Sequence, residues 1–196
     1  MFQQSSYTDQ LTFFQKLRGL DYILLFCILV IGIISAFSMY STDGGELLYH
    51  SKSHILRFLV FFSMMVCFSF FTVRFWHSIG YLFYIIVLGL LVWASLYGIT
   101  VSGSQRWISL YFLNIQPSEL MKIAIIACLA KLYHRMQINN VNKFQNLLIP
   151  VTIILIPILF VISQPDLGTS ILIALSGLIV LWLSGLNIKY FIYSSL

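Results

Sequence analysis

Five stretches of this chain run without a single Asp, Glu, Lys, Arg or His: 22–42, 58–73, 78–105, 144–165 and 167–188. They are 21, 16, 28, 22 and 22 residues long. A helix that crosses a bilayer needs about 20 apolar residues, with ~17 tolerated, so four qualify outright. The 58–73 run qualifies once its span starts near His54 and Arg57 snorkels toward a headgroup. Inside lipid, every backbone N–H and C=O has to be paired within its own segment, which makes helix the default. Composition agrees, with 60% of residues hydrophobic and 9% charged, against roughly 25% charged in soluble domains. A soluble fold of this length cannot hide so much apolar surface. Disorder, a soluble nucleic-acid binder and an ordinary cytosolic enzyme are thereby excluded, and the net charge of +5 becomes a topology signal.

One further helix is expected over 117–136, although only 123–130 are free of charge. Pro117 suits the first helical turn, where its missing N–H costs nothing. Glu119 complements the positive pole of the helix dipole, and Lys131, His134 and Arg135 the negative one. Twenty residues at 1.5 Å each give ~30 Å, enough to cross the membrane. Such a helix has to be shielded by neighbouring helices rather than by lipid. The expected fold class is therefore an all-α polytopic membrane protein with six transmembrane helices. They fall at about 21–41, 54–73, 77–98, 117–136, 146–164 and 167–186, and 187–196 starts a seventh. Residues 1–20 form an N-terminal tail and 21–196 the transmembrane domain.

Lys and Arg set the orientation. With the N-terminus in the cytoplasm, Lys16, Arg18, Arg74, Lys131, Arg135, Lys143 and Lys189 fall inside. Lys52, Arg57, Arg106 and Lys122 fall outside. The first apolar run is long and has no small-residue cleavage site, so a removed signal peptide is not expected. Cys27, Cys67 and Cys128 lie deep in apolar runs and read as buried free thiols. His50, His54, His77 and His134 are scattered, so no metal site is expected. No nucleotide loop, haem motif or Ser-His-Asp arrangement occurs.

Charged groups at membrane depth are functional candidates, and here they collect on the outer side. In Gly103-Ser104-Gln105-Arg106-Trp107, the glycine permits a tight turn in the loop after the third helix. Arg106 reads either as a headgroup anchor or as a planar fork for a phosphate or carboxylate. In Gln116-Pro117-Ser118-Glu119-Leu120-Met121-Lys122, Glu119 and Lys122 are i, i+3 and can pair. That pair either fixes helix packing or lines a water-filled substrate cavity. In Gln164-Pro165-Asp166-Leu167-Gly168-Thr169-Ser170, Asp166 is placed to N-cap the sixth helix and also to orient a sugar hydroxyl. Lys52, His54 and Arg57 form a weaker group, as snorkelling anchors or as neutralisers of a lipid diphosphate. Pro150 and Pro157 interrupt the fifth helix, and Pro157 frees a carbonyl and kinks the span.

GSQRWISL, QPSELMK and QPDLGTS, in this order and spacing, resemble the SEDS family, the shape, elongation, division and sporulation proteins RodA, FtsW and SpoVE. The QRW and QPDLGTS wording is closest to the RodA branch. The resemblance implies a peptidoglycan glycosyltransferase of the bacterial inner membrane. Such an enzyme polymerises lipid II, an undecaprenyl-diphosphate-linked precursor, beside a class B penicillin-binding transpeptidase. It serves cell elongation and rod shape, with an FtsW-like division polymerase, a precursor flippase and a non-catalytic assembly fragment as alternatives. A base would take the acceptor hydroxyl's proton, and cations would steady the departing diphosphate. Arg106, Glu119, Lys122 and Asp166 match the family's polar motifs. Lys52-Ser53-His54 stands where the family tends to have an Arg/Lys-Gln pair. No cofactor is implied beyond a possible divalent cation, and membrane lipids but no nucleic acid are expected as partners. The family has about ten transmembrane helices, so the chain is expected to be its N-terminal half, with the catalytic acid beyond residue 196.

Overall fold

A computed structural model describes residues 13–101, 104–110, 113–136, 141 and 143–187. The turn read at Gly103 and the helical start read in 188–196 lie outside the described residues, as does the tail before residue 13. Among the described residues, seven helices and three strands follow in the order α1 (Phe13–Arg18), α2 (Tyr22–Thr42), α3 (Tyr49–Ser69), α4 (Val73–Tyr97), β1 (Ile99–Val101), β2 (Ser104–Leu110), β3 (Leu113–Ile115), α5 (Pro117–Arg135), α6 (Phe144–Ser163) and α7 (Leu167–Leu183). Helices α2, α3, α4 and the 145–163 part of α6 are long and apolar enough to cross a membrane. α7 is shorter, at 17 residues, the lower end of what spans. The protein is a multi-pass membrane protein built on an α-helical bundle. The chain divides into two compact units, Met1–Arg74 and Phe75–Leu196.

In the first unit α2 packs on α3. Asp21 caps α2 by accepting the Ile23 and Leu24 amides at 3.1 and 3.0 Å. Gly44 and Gly45 end it in the left-handed region, with φ of 80° and 84°, which a residue with a Cβ resists. α3 begins at Tyr49, earlier than the apolar run implies, and its N-cap Leu48 has no side chain able to cap. Asp43 serves instead, accepting the Ser51 amide at 2.8 Å and also the Ser51 hydroxyl. Those bonds to the ionised form hold the Asp43 carboxyl below its ordinary range. The cysteine reading needs correction here: Cys27 and Cys67 are exposed on the helix surfaces, and only Cys128 is buried. A thiol on a lipid-facing stripe occurs in as long an apolar run as a buried one, so the run alone does not separate them.

The second unit is centred on α5, which packs against α6, α7 and β2. Eight of its 19 residues are buried, including Met121, Ala124, Ile125, Cys128 and Leu129. This burial accounts for a helix too charged for lipid. α4 runs antiparallel to it. A Cβ on Gly80 would stand 2.8 Å from the Ala127 carbonyl oxygen, so the two backbones approach closely only because Gly80 has none. Gly177 of α7 receives Ile154 of α6 in the same way. Pro157 cannot donate to the Ile153 carbonyl four residues back. The Tyr84 hydroxyl of α4 donates to that carbonyl at 2.9 Å.

The segment read as a loop after the third helix is an antiparallel meander of order β1-β2-β3. Val101 pairs with Ser104, Thr100 with Gln105 and Ile99 with Trp107, with an irregularity between Ile99 and Thr100. Ile108 pairs with Ile115 and Ser109 with Asn114. The small sheet leaves the bundle predominantly helical.

Candidate functional site

Side chains two apart on a strand share a face. On β2 this puts Ser104 and Arg106 together, and both reach the turn between α6 and α7. The Ser104 hydroxyl donates to the Gln164 carbonyl at 2.5 Å. Arg106 Nη1 donates to Asp166 Oδ2 at 2.9 Å. Gln116, the residue before α5, donates through Nε2 to the same carboxylate oxygen at 3.1 Å and to the Ser118 hydroxyl at 3.0 Å. The other oxygen, Oδ1, accepts the Thr169 amide at 3.1 Å and caps α7. One carboxylate thus ties the meander and the start of α5 to the start of α7.

The Arg106 and Asp166 side chains are 27% and 12% exposed, between a surface pair and a buried one. Burial alone would raise the Asp166 pKa, but the bonds from Thr169 and the charge and bond of Arg106 outweigh it. The carboxyl is held below its usual range. It is therefore ionised at neutral pH and a weak base.

Glu119 and Lys122 pair with each other at 2.9 Å, i to i+3 in the first turns of α5. Glu119 is the more open, at 56% exposure. Both carboxylates of residues 75–196 are therefore occupied by cations. Arg106 Nε and Gln164 Nε2, and Trp107 Nε1 on the other face of β2, are buried with no hydrogen-bond partner among the described residues. Buried donors of this kind are uncommon and favour an oxygen-rich ligand. Sequence reasoning did not single out Ser104, Gln116 or Gln164 as site residues. The available signal was the repeated Gln-Pro pair, which places an amide just before α5 and at the end of α6.

The weaker trio lies in the first unit. His54 Nε2 shares a 2.9 Å hydrogen bond with the Ser35 hydroxyl, linking α3 to α2. Arg57 turns back on its own helix, donating to the Ser53 carbonyl at 3.1 Å and its hydroxyl at 2.6 Å. Lys52 is exposed. The histidines are less scattered than their spacing implies, since the rings of His77 and His134 meet edge to face at 4.8 Å. Among the described residues, no group of three or more His, Cys, Asp or Glu is placed to hold a metal ion.

A family model described as cell cycle protein, covering FtsW, RodA and SpoVE, matches residues 17–196. Peptidoglycan glycosyltransferase MrdB of Escherichia coli K12 is 36% identical over 178 residues, which is 90% of this chain and 46% of that protein. A probable peptidoglycan glycosyltransferase FtsW of Buchnera aphidicola from Baizongia pistaciae is 31% identical over 170 residues, 85% of this chain and 45% of that one. The chain spans about half the length of the curated relatives it matches. Among solved structures, a point mutant of Thermus thermophilus rod shape determining protein RodA aligns with a TM-score of 0.73 at 22% identity, covering 89% of this chain and 57% of that one. A peptidoglycan synthase complex, described for its coordination of polymerization and crosslinking, gives the same score and identity over 50% of its chain. These two establish likeness of fold.

Proposed function

We propose, starting from the premise that this chain belongs to the FtsW, RodA and SpoVE family of cell cycle proteins, that it forms the substrate-holding part of a RodA-like peptidoglycan glycosyltransferase. The substrate is lipid II, and the process is elongation of a rod-shaped cell. The observation that carries this reading is the Arg106–Asp166–Gln116 network, which draws the three polar motifs into one site. Arg106 receives the diphosphate of the lipid-linked sugar. Asp166 holds Arg106 in place, both of its oxygens being engaged by Arg106, Gln116 and the Thr169 amide. Glu119 and Lys122 make further substrate contacts, with Lys122 offering a second cation and Glu119 a hydroxyl acceptor, supported by their partly exposed ion pair. Lys52, His54 and Arg57, in the other unit, are a separate and weaker candidate for a lipid diphosphate, since His54 and Arg57 are engaged within that unit. These residues bind and position, and none of them is assigned as the catalytic acid.

The working arrangement is a multi-pass protein of the bacterial inner membrane with residues 1–20 in the cytoplasm and the site on the outer side. Excess Lys and Arg in the segments assigned to the cytoplasm supports that orientation. A class B penicillin-binding transpeptidase is the partner that would cross-link the new strand. A division role is the second reading, favoured by an FtsW relative that aligns over 85% of this chain, against 90% for MrdB. The test is equilibrium binding of labelled lipid II to the chain in nanodiscs. Saturable binding lost in Arg106→Ala supports the proposal, and equal binding by both proteins overturns it. Glycan polymerisation by these 196 residues alone would show that they hold catalytic groups as well.

A further inference from the structure

The acidic residues of 75–196 are Glu119 and Asp166 alone. Glu119 opens α5, and the other end of that helix is basic. Lys131 lies 12 residues further on, ~18 Å along the axis, and Arg135 ~24 Å. Here α5 meets the first turns of α4. The His77 and His134 rings are in contact at 4.8 Å. Lys131 is 9% exposed, and its ammonium donates to the Ser78 carbonyl while lying 4.8 Å from the centre of the Tyr81 ring. That cation is fixed between the helices rather than extended to solvent. His77 Nε2 is buried without a hydrogen-bond partner among the described residues.

A basic helix C-terminus by itself complements the helix dipole. That explains Lys131, His134 and Arg135 on α5, but not His77. His77 sits near the N-terminal end of α4, where the dipole is positive and disfavours a cation. The grouping puts two lasting cations and two protonatable rings at one end of the α4–α5 pair, beside the close approach of Gly80 to Ala127. No carboxylate of α5 offsets them on this side of Glu119. α4 is long and apolar enough to span the bilayer, so its first turns lie at headgroup depth.

We propose that this end of the α4–α5 pair is a binding site for the phosphate headgroup of an anionic membrane lipid, met by the exposed His134 and Arg135, with Lys131 adding its charge and His77 its unpartnered ring nitrogen from between the helices. Basic clefts between membrane helices recognise such headgroups through charge and hydrogen-bond donors. The site is at the opposite end of α5 from Glu119 and does not depend on the function proposed above.

Native mass spectrometry of the full chain, offered phosphatidylglycerol and phosphatidylcholine in equal amounts, tests the assignment. Phosphatidylglycerol should be retained in preference. The preference should fall roughly fivefold for each cation removed. His134→Gln with Arg135→Gln changes two exposed residues, so its fold should hold, which a melting curve checks. Lys131→Gln should act in the same direction, and Lys143→Gln, outside this group of four, should leave the preference unchanged. Equal retention of the two lipids, or an undiminished preference in the double variant, would overturn the proposal. Displacement of the lipid by millimolar inorganic phosphate would also overturn it, by showing a site for a free anion.

Discussion

Arg106 and Asp166 stand 60 residues apart in the chain and meet through a single 2.9 Å contact between Nη1 and Oδ2. The same carboxylate caps α7, so its charge and its geometry can be separated by mutation. Asp166→Asn keeps an oxygen able to accept the Thr169 amide and removes the charge facing Arg106. It should cost about 2 kcal/mol, the scale of a hydrogen bond to a charged group. Asp166→Ala should cost about 1 kcal/mol more through the lost cap. Denaturation in detergent measures both, and equal losses would mean that the cap contributes nothing.

Acid should weaken the fold through the same carboxyls. Asp43 and Asp166 are both held below the ordinary carboxylate value in the folded protein. A depressed folded pKa contributes stability that is fully present above the unfolded value near ~3.9 and is lost as pH falls through the folded value. The melting temperature should stay nearly level from pH 8 to 5 as far as these two groups are concerned, then drop below about pH 4. Asp166→Asn should make that drop shallower.

Tyr84→Phe should cost about 1–3 kcal/mol, because it leaves the Ile153 carbonyl without its donor in an apolar interior. Pairing it with Pro157→Ala restores an amide at the correct place and should recover much of the loss. A double-mutant cycle by thermal denaturation checks this. Independent, additive effects would show that the hydroxyl and the proline are not linked.

Gly80→Val should destabilise by at least about 1–3 kcal/mol, the usual cost of overpacking. The Cβ would press on the Ala127 carbonyl oxygen, and backbone cannot swing aside as a flexible side chain does. An unchanged unfolding midpoint would show that α4 and α5 are looser than described.

Glu119→Gln separates a structural ion pair from a binding one. An i, i+3 pair with an exposed partner is worth only about 0.2–0.5 kcal/mol, so stability should barely change. Lipid II binding by the chain should fall nonetheless. A change in stability with no change in binding would make the pair structural only.

The helical bundle was legible because lipid imposes a simple rule on sequence: long uncharged runs, bounded by charges and caps. Even α5 was legible from Pro117 and Glu119 at one end and Lys131, His134 and Arg135 at the other. The meander was not. β1 and β3 have three residues each, too few to display a two-residue period, and pairing partners do not appear in a linear pattern. Asp166 could be read as a cap from its place before Leu167, whereas its bonds to Arg106 and Gln116 depend on how three elements converge. His77 and His134 were similarly hidden, since 57 positions separate residues that an antiparallel helix pair brings together.

The separation of Arg106 from Asp166 also orders events during synthesis. At roughly 5–20 residues per second, a ribosome needs ~3–12 s to add the 60 residues between them. Throughout that interval the nascent chain carries Arg106 without the carboxylate that later holds it. Only when the start of α7 emerges can the cation be neutralised and the meander fastened to the helix. Closure of this site therefore waits on a segment made well after the meander itself, and the meander cannot be fastened to the start of α7 before Asp166 has been added.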